Sequence, residues 1–125
     1  MVDPFVKKTR ATVAAIGASL GFVSAVGIYF DPAEPYPGFV TIAGTLHGIV
    51  TALLLTTTVT KDSTVQQSLL WGVLYGLLTG SMGFFAEGAW ASWDAPYIVP
   101  TAIVVGVILG PVVRLVSRLS GNPNG

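Results

Sequence analysis

Long runs of apolar residues alternate along the chain with short polar segments. A bilayer core about 30 Å thick requires roughly 20 mostly apolar helical residues for each crossing, and four runs have about that length. The strands of a membrane barrel would instead alternate apolar and polar positions over about 10 residues. The pattern therefore predicts an all-α membrane protein with a single domain, residues 1–125, and four transmembrane helices at about 11–30, 39–59, 68–86 and 97–116.

The segments between these runs have the composition of helix connections. Three prolines between positions 31 and 37 end the first helix and begin the second. A polar turn at 61–64 separates the second helix from the third, and residues 119–125 form a polar tail that we expect to be disordered. The first run is longer than the about 7–15 apolar residues of a cleaved signal peptide, so we expect it to remain in the mature chain.

The composition agrees with lipid as the surrounding solvent. Apolar residues make up 52% of the chain and charged residues only 10%, with a mean hydropathy of +0.73, whereas an ordinary soluble domain has about 25% charged residues. Six basic residues balance six acidic ones, so the net charge does not favour nucleic acid as a partner. The absence of cysteine excludes disulfides, thiolate metal sites and iron–sulfur clusters.

The basic residues lie at one end of the predicted four-helix arrangement. They precede the first helix, occupy the middle turn and close the chain, and the two loops at the opposite end carry acidic residues. The positive-inside rule then predicts a multi-pass protein of the cell (plasma) membrane with both termini in the cytoplasm. The basic residues are Lys7, Lys8, Arg10, Lys61, Arg114 and Arg118, and the acidic loop residues are Asp31, Glu34, Glu87 and Asp94.

Glycines recur at four-residue spacing in each predicted helix. Lipid chains give helices no hydrophobic reason to associate, but small residues at this spacing let two backbones approach closely. Such strips in all four helices predict a tight bundle or a tight oligomer and argue against a wide pore within one chain. The helix-packing glycines are Gly17, Gly21, Gly44, Gly48, Gly72, Gly76, Gly80, Gly106 and Gly110.

The chain also contains a candidate internal repeat. An ungapped alignment of the third helix with the first pairs Gly72 with Gly17 and a second pair of glycines one turn further on. The fourth helix aligns more weakly with the second, through Gly106 and Gly48. The alignment favours a two-helix hairpin that is used twice, with both copies pointing the same way. Chance similarity between glycine-rich helices is the alternative.

The only histidine falls near the middle of the second predicted helix. An ionisable group at that depth is a candidate functional residue, because its charged form is costly there. It could relay a proton or a substrate, or two copies of the chain could hold a haem. We favour a hydrogen-bonded packing role, because no carboxylate or second ligand lies at its depth. The candidate polar network consists of His47, Thr51, Tyr75, Thr79 and Glu87, the last at the outer end of the third helix.

These features predict a protein without catalytic, metal or cofactor sites. We expect a small polytopic membrane protein that serves as an accessory or scaffold subunit of a membrane complex, or that associates with itself. Its predicted partners are the lipid bilayer and other membrane subunits or further copies of the chain, and not nucleic acid. The alternative is a small transporter or channel, assembled as an oligomer, with His47 and Glu87 along a polar route.

Overall fold

The chain forms four α-helices, α1 (Pro4–Tyr29), α2 (Pro37–Thr58), α3 (Val65–Glu87) and α4 (Ala95–Ser120). The computed structural model describes residues 4–29, 37–60, 62–87 and 95–120, and within them the side chains of 8–26, 41–60, 62–82 and 99–119. The prediction of an all-helical chain with four helices is confirmed. α4 includes residues 119 and 120, with which the predicted tail begins, and residues 121–125 lie outside the described residues.

Three of the helices are long and apolar enough to cross a membrane. The apolar stretches are Lys8–Val26 in α1, Thr41–Thr58 in α2 and Val99–Leu119 in α4. Within its described residues α3 does not reach the same apolarity, since its first turn contains two glutamines and a serine at 66–68. The prediction of four apolar crossings is therefore supported for three helices.

The turn between α2 and α3 satisfies its backbone with its own side chains. The hydroxyl of Thr64 accepts the N–H of Gln67 at 3.0 Å, and the side-chain oxygen of Gln67 accepts the N–H of Thr64 at 2.9 Å. This reciprocal pair is a capping box, and it begins α3 at Val65. On the α2 side the hydroxyl of Ser63 accepts the N–H of Thr60 at 2.9 Å.

The helices pack as two antiparallel hairpins, α1 with α2 and α3 with α4. Near the centre of the first hairpin Gly17 faces Gly48, and a Cβ added to either glycine would overlap the carbonyl oxygen of the other. Gly72 and Gly106 face each other in the same way in the second hairpin. The backbones are therefore in direct contact, which is possible because neither residue has a side chain.

The contacts within the two hairpins correspond. The ungapped alignment that pairs Gly72 with Gly17 and Gly106 with Gly48 also matches the neighbouring contacts along each seam. The corresponding pairs are Gly17–Gly48 with Gly72–Gly106, Gly21–Gly44 with Gly76–Ala102, and Ala25–Gly44 with Gly80–Ala102.

α2 and α4 occupy the centre of the bundle. They contact each other, and each also contacts one helix of the other hairpin, whereas the described parts of α1 and α3 do not meet. We call the end of the bundle that contains the 60–64 turn, the start of α1 and the end of α4 the turn end. The buried aliphatic core lies mainly towards the turn end and comprises Val13, Ala52, Leu55, Val59, Val105, Leu109 and Val113.

Candidate polar site between α2 and α3

A hydrogen bond between His47 and Thr79 joins the middle of α2 to α3. The Nε2 atom of His47 lies 2.6 Å from the hydroxyl oxygen of Thr79, and the hydroxyl of Thr51 lies 3.1 Å from the same oxygen. Thr51 is 0% exposed and Thr79 is 6% exposed. Three polar side chains from two helices thus meet in an interior that is otherwise filled mainly by aliphatic residues.

The distances in this cluster allow its hydrogens to be assigned. The hydroxyl of Thr79 has one hydrogen, and its oxygen lies 2.8 Å from the backbone carbonyl oxygen of Tyr75, which can only accept. We assign this hydrogen to the carbonyl oxygen of Tyr75, because each of the three short contacts of the Thr79 oxygen then contains one hydrogen. In this assignment Thr51 and His47 donate to Thr79. Neutral His47 is then protonated on Nε2, and its Nδ1 atom carries the lone pair.

Further hydroxyl groups lie between this cluster and the turn end. The Tyr75 hydroxyl is 3.4 Å from that of Thr57, which donates to the carbonyl oxygen of Leu54 at 2.6 Å. Trp71 stacks on Tyr75 with 5.6 Å between the ring centroids, which helps to hold the phenol in place. The hydroxyl oxygen of Thr58 is buried and has no hydrogen-bond partner among the described residues.

At the turn end, Arg114 of α4 is tied to the turn between α2 and α3. Its Nε atom donates a hydrogen bond to the carbonyl oxygen of Ser63 at 2.5 Å. Because the arginine is only partly buried, the guanidinium group retains contact with solvent while its Nε–H holds the turn. This bond links the second hairpin to the end of the first.

The structure separates the two sets of residues that the sequence singled out. The nine packing glycines lie in the seams within the hairpins, whereas His47, Thr51 and Thr79 lie between the hairpins. Tyr75 points its hydroxyl to Thr57 rather than to His47. Glu87 is the last residue of α3, and its side chain lies outside the described residues.

Thr57 is the residue of this site that sequence analysis missed. It belongs to a run of three threonines that ends α2, and polar residues are ordinary at the end of a transmembrane helix. A signal was nevertheless present for the neighbouring Thr58, which follows Thr51 by seven residues and therefore lies on the same face of the helix.

The chemistry of the site is that of an imidazole surrounded by hydroxyl groups. In the described parts of the chain no three histidine, cysteine, aspartate or glutamate residues are close enough to hold a metal ion together. The imidazole can bind and release a proton, and the hydroxyl groups can donate or accept hydrogen bonds.

Comparison with known proteins finds no matching family model, no similar curated protein and no similar solved structure.

Proposed function

We propose that this chain is an integral membrane protein whose four helices all cross the bilayer. Three helices have the required length and apolarity. The placement of α3 follows from its partner, because Gly72, Gly76 and Gly80 each lie against the backbone of α4. The outward face of α3 is also apolar, with Leu70 and Leu74 exposed. A helix held along α4 in this way spans the same depth as α4.

Both termini face the cytoplasm in this proposal, and the cell membrane is the proposed location. The basic residues of the helices lie at the turn end, early in α1 (Lys7, Lys8 and Arg10) and late in α4 (Arg114 and Arg118), and Lys61 falls between α2 and α3 in the sequence. The positive-inside rule places that end in the cytoplasm. The hydrogen bond from Arg114 to Ser63 supports this arrangement, since it holds one of these basic residues against the turn.

The two hairpins are proposed to be copies of one unit, parallel to each other and related by an axis along the membrane normal. The correspondence of their glycine contacts supports this proposal. The contacts between hairpins support it as well, because α1 meets α4 and α2 meets α3, as such an axis requires. α2 and α4 then lie next to the axis.

The proposed role is structural: a non-catalytic subunit that holds a membrane assembly together by contacts with other subunits or with further copies of itself. The observation that supports it is that glycines and large apolar residues lie in different parts of the bundle. The nine glycines for which the structure describes contacts close the seams inside the hairpins, so they are not available to partners. Large apolar side chains cover the outside, including Val23 at 65% exposed, Ile42 at 62% and Met82 at 63%. Lipid and the helices of partner subunits are suitable neighbours for this surface.

The topology can be tested with single cysteines, because the chain has none of its own. Asp62→Cys and Asn122→Cys should react with a membrane-impermeant maleimide only after the cells are permeabilised. Ser92→Cys should react in intact cells. If residues 62 and 92 are labelled from the same side, α3 does not cross and the four-crossing topology is wrong.

The structural role can be tested by the native mass of the protein extracted from its own membranes in mild detergent. We expect the 13.0 kDa chain in a complex of fixed stoichiometry, with other chains or with itself. His47→Ala should leave that mass unchanged. Recovery of single chains alone would contradict the proposal. Transport of protons or a solute that His47→Ala abolishes, while the mass stays the same, would favour the transporter alternative.

A further inference from the structure

The repeat provides an internal comparison for the polar site. α2 and α4 occupy corresponding places in the bundle, so packing alone should make similar demands on both helices. Yet polar residues of α2 correspond to aliphatic residues of α4 throughout the polar site. His47, Thr51, Thr57 and Thr58 correspond to Val105, Leu109, Leu115 and Val116.

The bundle therefore does not need polar side chains at these positions to pack. Val105 is 2% exposed and Leu109 is 0% exposed, so the aliphatic versions are well buried. Inside a bilayer a histidine is more costly than a valine, and hydrogen bonds between membrane helices return only about 0.6 kcal/mol each on average. A packing role alone does not account for the cluster.

We propose that His47 is a proton-binding site inside the bundle, which takes up a proton on Nδ1. The ligand is the proton itself. A hydronium ion supplies it, one of its O–H bonds breaks, and an N–H bond forms at Nδ1. The Nε2–H bond to Thr79 persists, so the imidazolium carries two N–H groups. The site goes beyond the structural role, and it rests on the proposed repeat and on the helices lying in a membrane.

Thr79 prepares the imidazole for this reaction. Because Thr79 uses its hydrogen on the carbonyl oxygen of Tyr75, it accepts from Nε2 and fixes the tautomer that leaves Nδ1 unprotonated. No described residue donates a hydrogen bond to Nδ1. Nδ1 is therefore the unprotonated acceptor of a ring whose Nε2 atom is held by the hydrogen bond to Thr79.

The hydroxyls towards the turn end provide a route for the proton. The buried hydroxyl of Thr58 has no described partner, and buried polar groups of this kind are commonly satisfied by a water molecule. Seven residues separate it from Thr51 on the same face of α2, a rise of about 10 Å. The Tyr75 hydroxyl, beside Thr57, lies on this stretch. Water bound between these groups would connect the hydroxyls of Thr51 and Thr79, on the Nε2 side of the ring, to the turn end.

Charged groups do not lie beside the imidazole in the described parts of the surrounding helices. The one titratable side chain near its level is the phenol of Tyr75, on α3. The other titratable side chains that the structure describes lie at the turn end: Lys8, Arg10, Asp62, Arg114 and Arg118. Glu87 ends α3 at the opposite end of the bundle. In these parts of the chain, proton uptake at His47 is therefore not assisted by a neighbouring charge.

Nitrogen NMR on the protein in micelles tests the proton site directly. Since the chain has a single histidine, labelling with [15N]histidine gives signals from His47 alone. We expect the Nε2–H tautomer near neutral pH and protonation of Nδ1 on acidification. A dominant Nδ1–H tautomer, or a ring that stays neutral in the folded protein down to about pH 4, well below the ordinary titration range of histidine, would overturn the proposal.

Substitutions at position 79 test the proposed role of the hydroxyl. Thr79→Val should weaken the tautomer preference and raise the share of the Nδ1–H form, whereas Thr79→Ser should keep the wild-type spectrum. An unchanged tautomer in folded Thr79→Val would contradict the assignment. If Thr79→Val does not fold, Thr79→Ser provides the test, and a dominant Nδ1–H tautomer in that variant would contradict the assignment.

The route is tested by the rate at which the ring N–H of His47 exchanges with deuterium. Thr58→Val removes the buried hydroxyl with little change in shape and should slow this exchange several-fold. Thr45→Val is the matched control, because the Thr45 hydroxyl donates to the carbonyl oxygen of Thr41 on its own helix. Equal rates in the two variants would exclude access along Thr58. The two proposals can fail separately, because the spectra report the surroundings of His47 in micelles and the maleimide labelling reports the sides of the membrane that residues 62 and 92 face.

Discussion

Gly44 of α2 faces the methyl group of Ala25 on α1, and a Cβ added to Gly44 would lie 2.6 Å from that methyl carbon. The second hairpin has the same contact with the residue types exchanged. There Gly80 of α3 faces the methyl group of Ala102 on α4, and an added Cβ would lie 2.7 Å from it. Each hairpin thus has room for one methyl group at this level, on either of its two helices.

This exchange predicts that one substitution can rescue another. Gly80→Ala should destabilise the protein by about 1–3 kcal/mol, as for other overpacked interiors. Adding Ala102→Gly should recover a large part of the loss, because the second hairpin then has the arrangement of the first. The free energy of unfolding in micelles, measured for both single variants and the double variant, gives the coupling. Strictly additive effects would show that the two positions do not compete for the same space.

A methyl group at the centre of a seam should be more damaging, because it meets backbone rather than a side chain. A Cβ on Gly48 would overlap the carbonyl oxygen of Gly17, and the hairpin has to separate to relieve the clash. We expect Gly48→Ala to lower the free energy of unfolding by about 3 kcal/mol, at the upper end for overpacking. Ala15→Leu adds more volume on the exposed face of α1 and should change stability by less than about 0.5 kcal/mol. Equal effects of the two variants would contradict direct backbone contact between Gly17 and Gly48.

The capping box at the start of α3 makes a separate contribution. Thr64→Ala removes the acceptor of the Gln67 N–H, and loss of such a cap costs about 1 kcal/mol. Thr12→Ala is a suitable control, since the Thr12 hydroxyl donates within its helix to the carbonyl oxygen of Lys8. Unfolding in micelles should distinguish the two variants, and equal stability would mean that water replaces the cap.

The bond from Arg114 to the turn should limit local opening. Arg114→Ala leaves the carbonyl oxygen of Ser63 without this donor, so we expect faster hydrogen exchange at residues 60–64. Arg118→Ala removes an exposed arginine one turn further on and should leave exchange in the turn unchanged. Identical exchange in both variants would show that the turn is held by its own side chains alone.

The helices could be predicted from the sequence because a run of apolar residues determines them almost locally. The partner of each seam could not. The spacing of Gly17 identifies a strip on α1, but it does not indicate whether that strip meets α2, α3 or a second copy of the chain. That choice depends on how four helices share one interior. Ala102 illustrates the limit, because its role appears only when it is seen opposite Gly76 and Gly80.

The polar cluster shows a similar limit. The sequence identified His47 and Thr79 as candidates, but Thr51, Tyr75 and Thr79 were all possible hydrogen-bond partners for the imidazole. The distances from Thr79 to His47 and to the carbonyl oxygen of Tyr75 identify the partner and support the assignment of the hydrogens. Such a distance depends on the tertiary packing of α3 against α2, and residue spacing along one helix does not contain it.

The contact of Gly17 with Gly48, and of Gly72 with Gly106, makes the separation of the paired helices a property of the peptide unit, which is the same in every protein. Replacement of the outward-facing side chains by others would leave the spacing of the paired helices as it is. The sequence of the outer surface can therefore change while the packing within each hairpin stays the same.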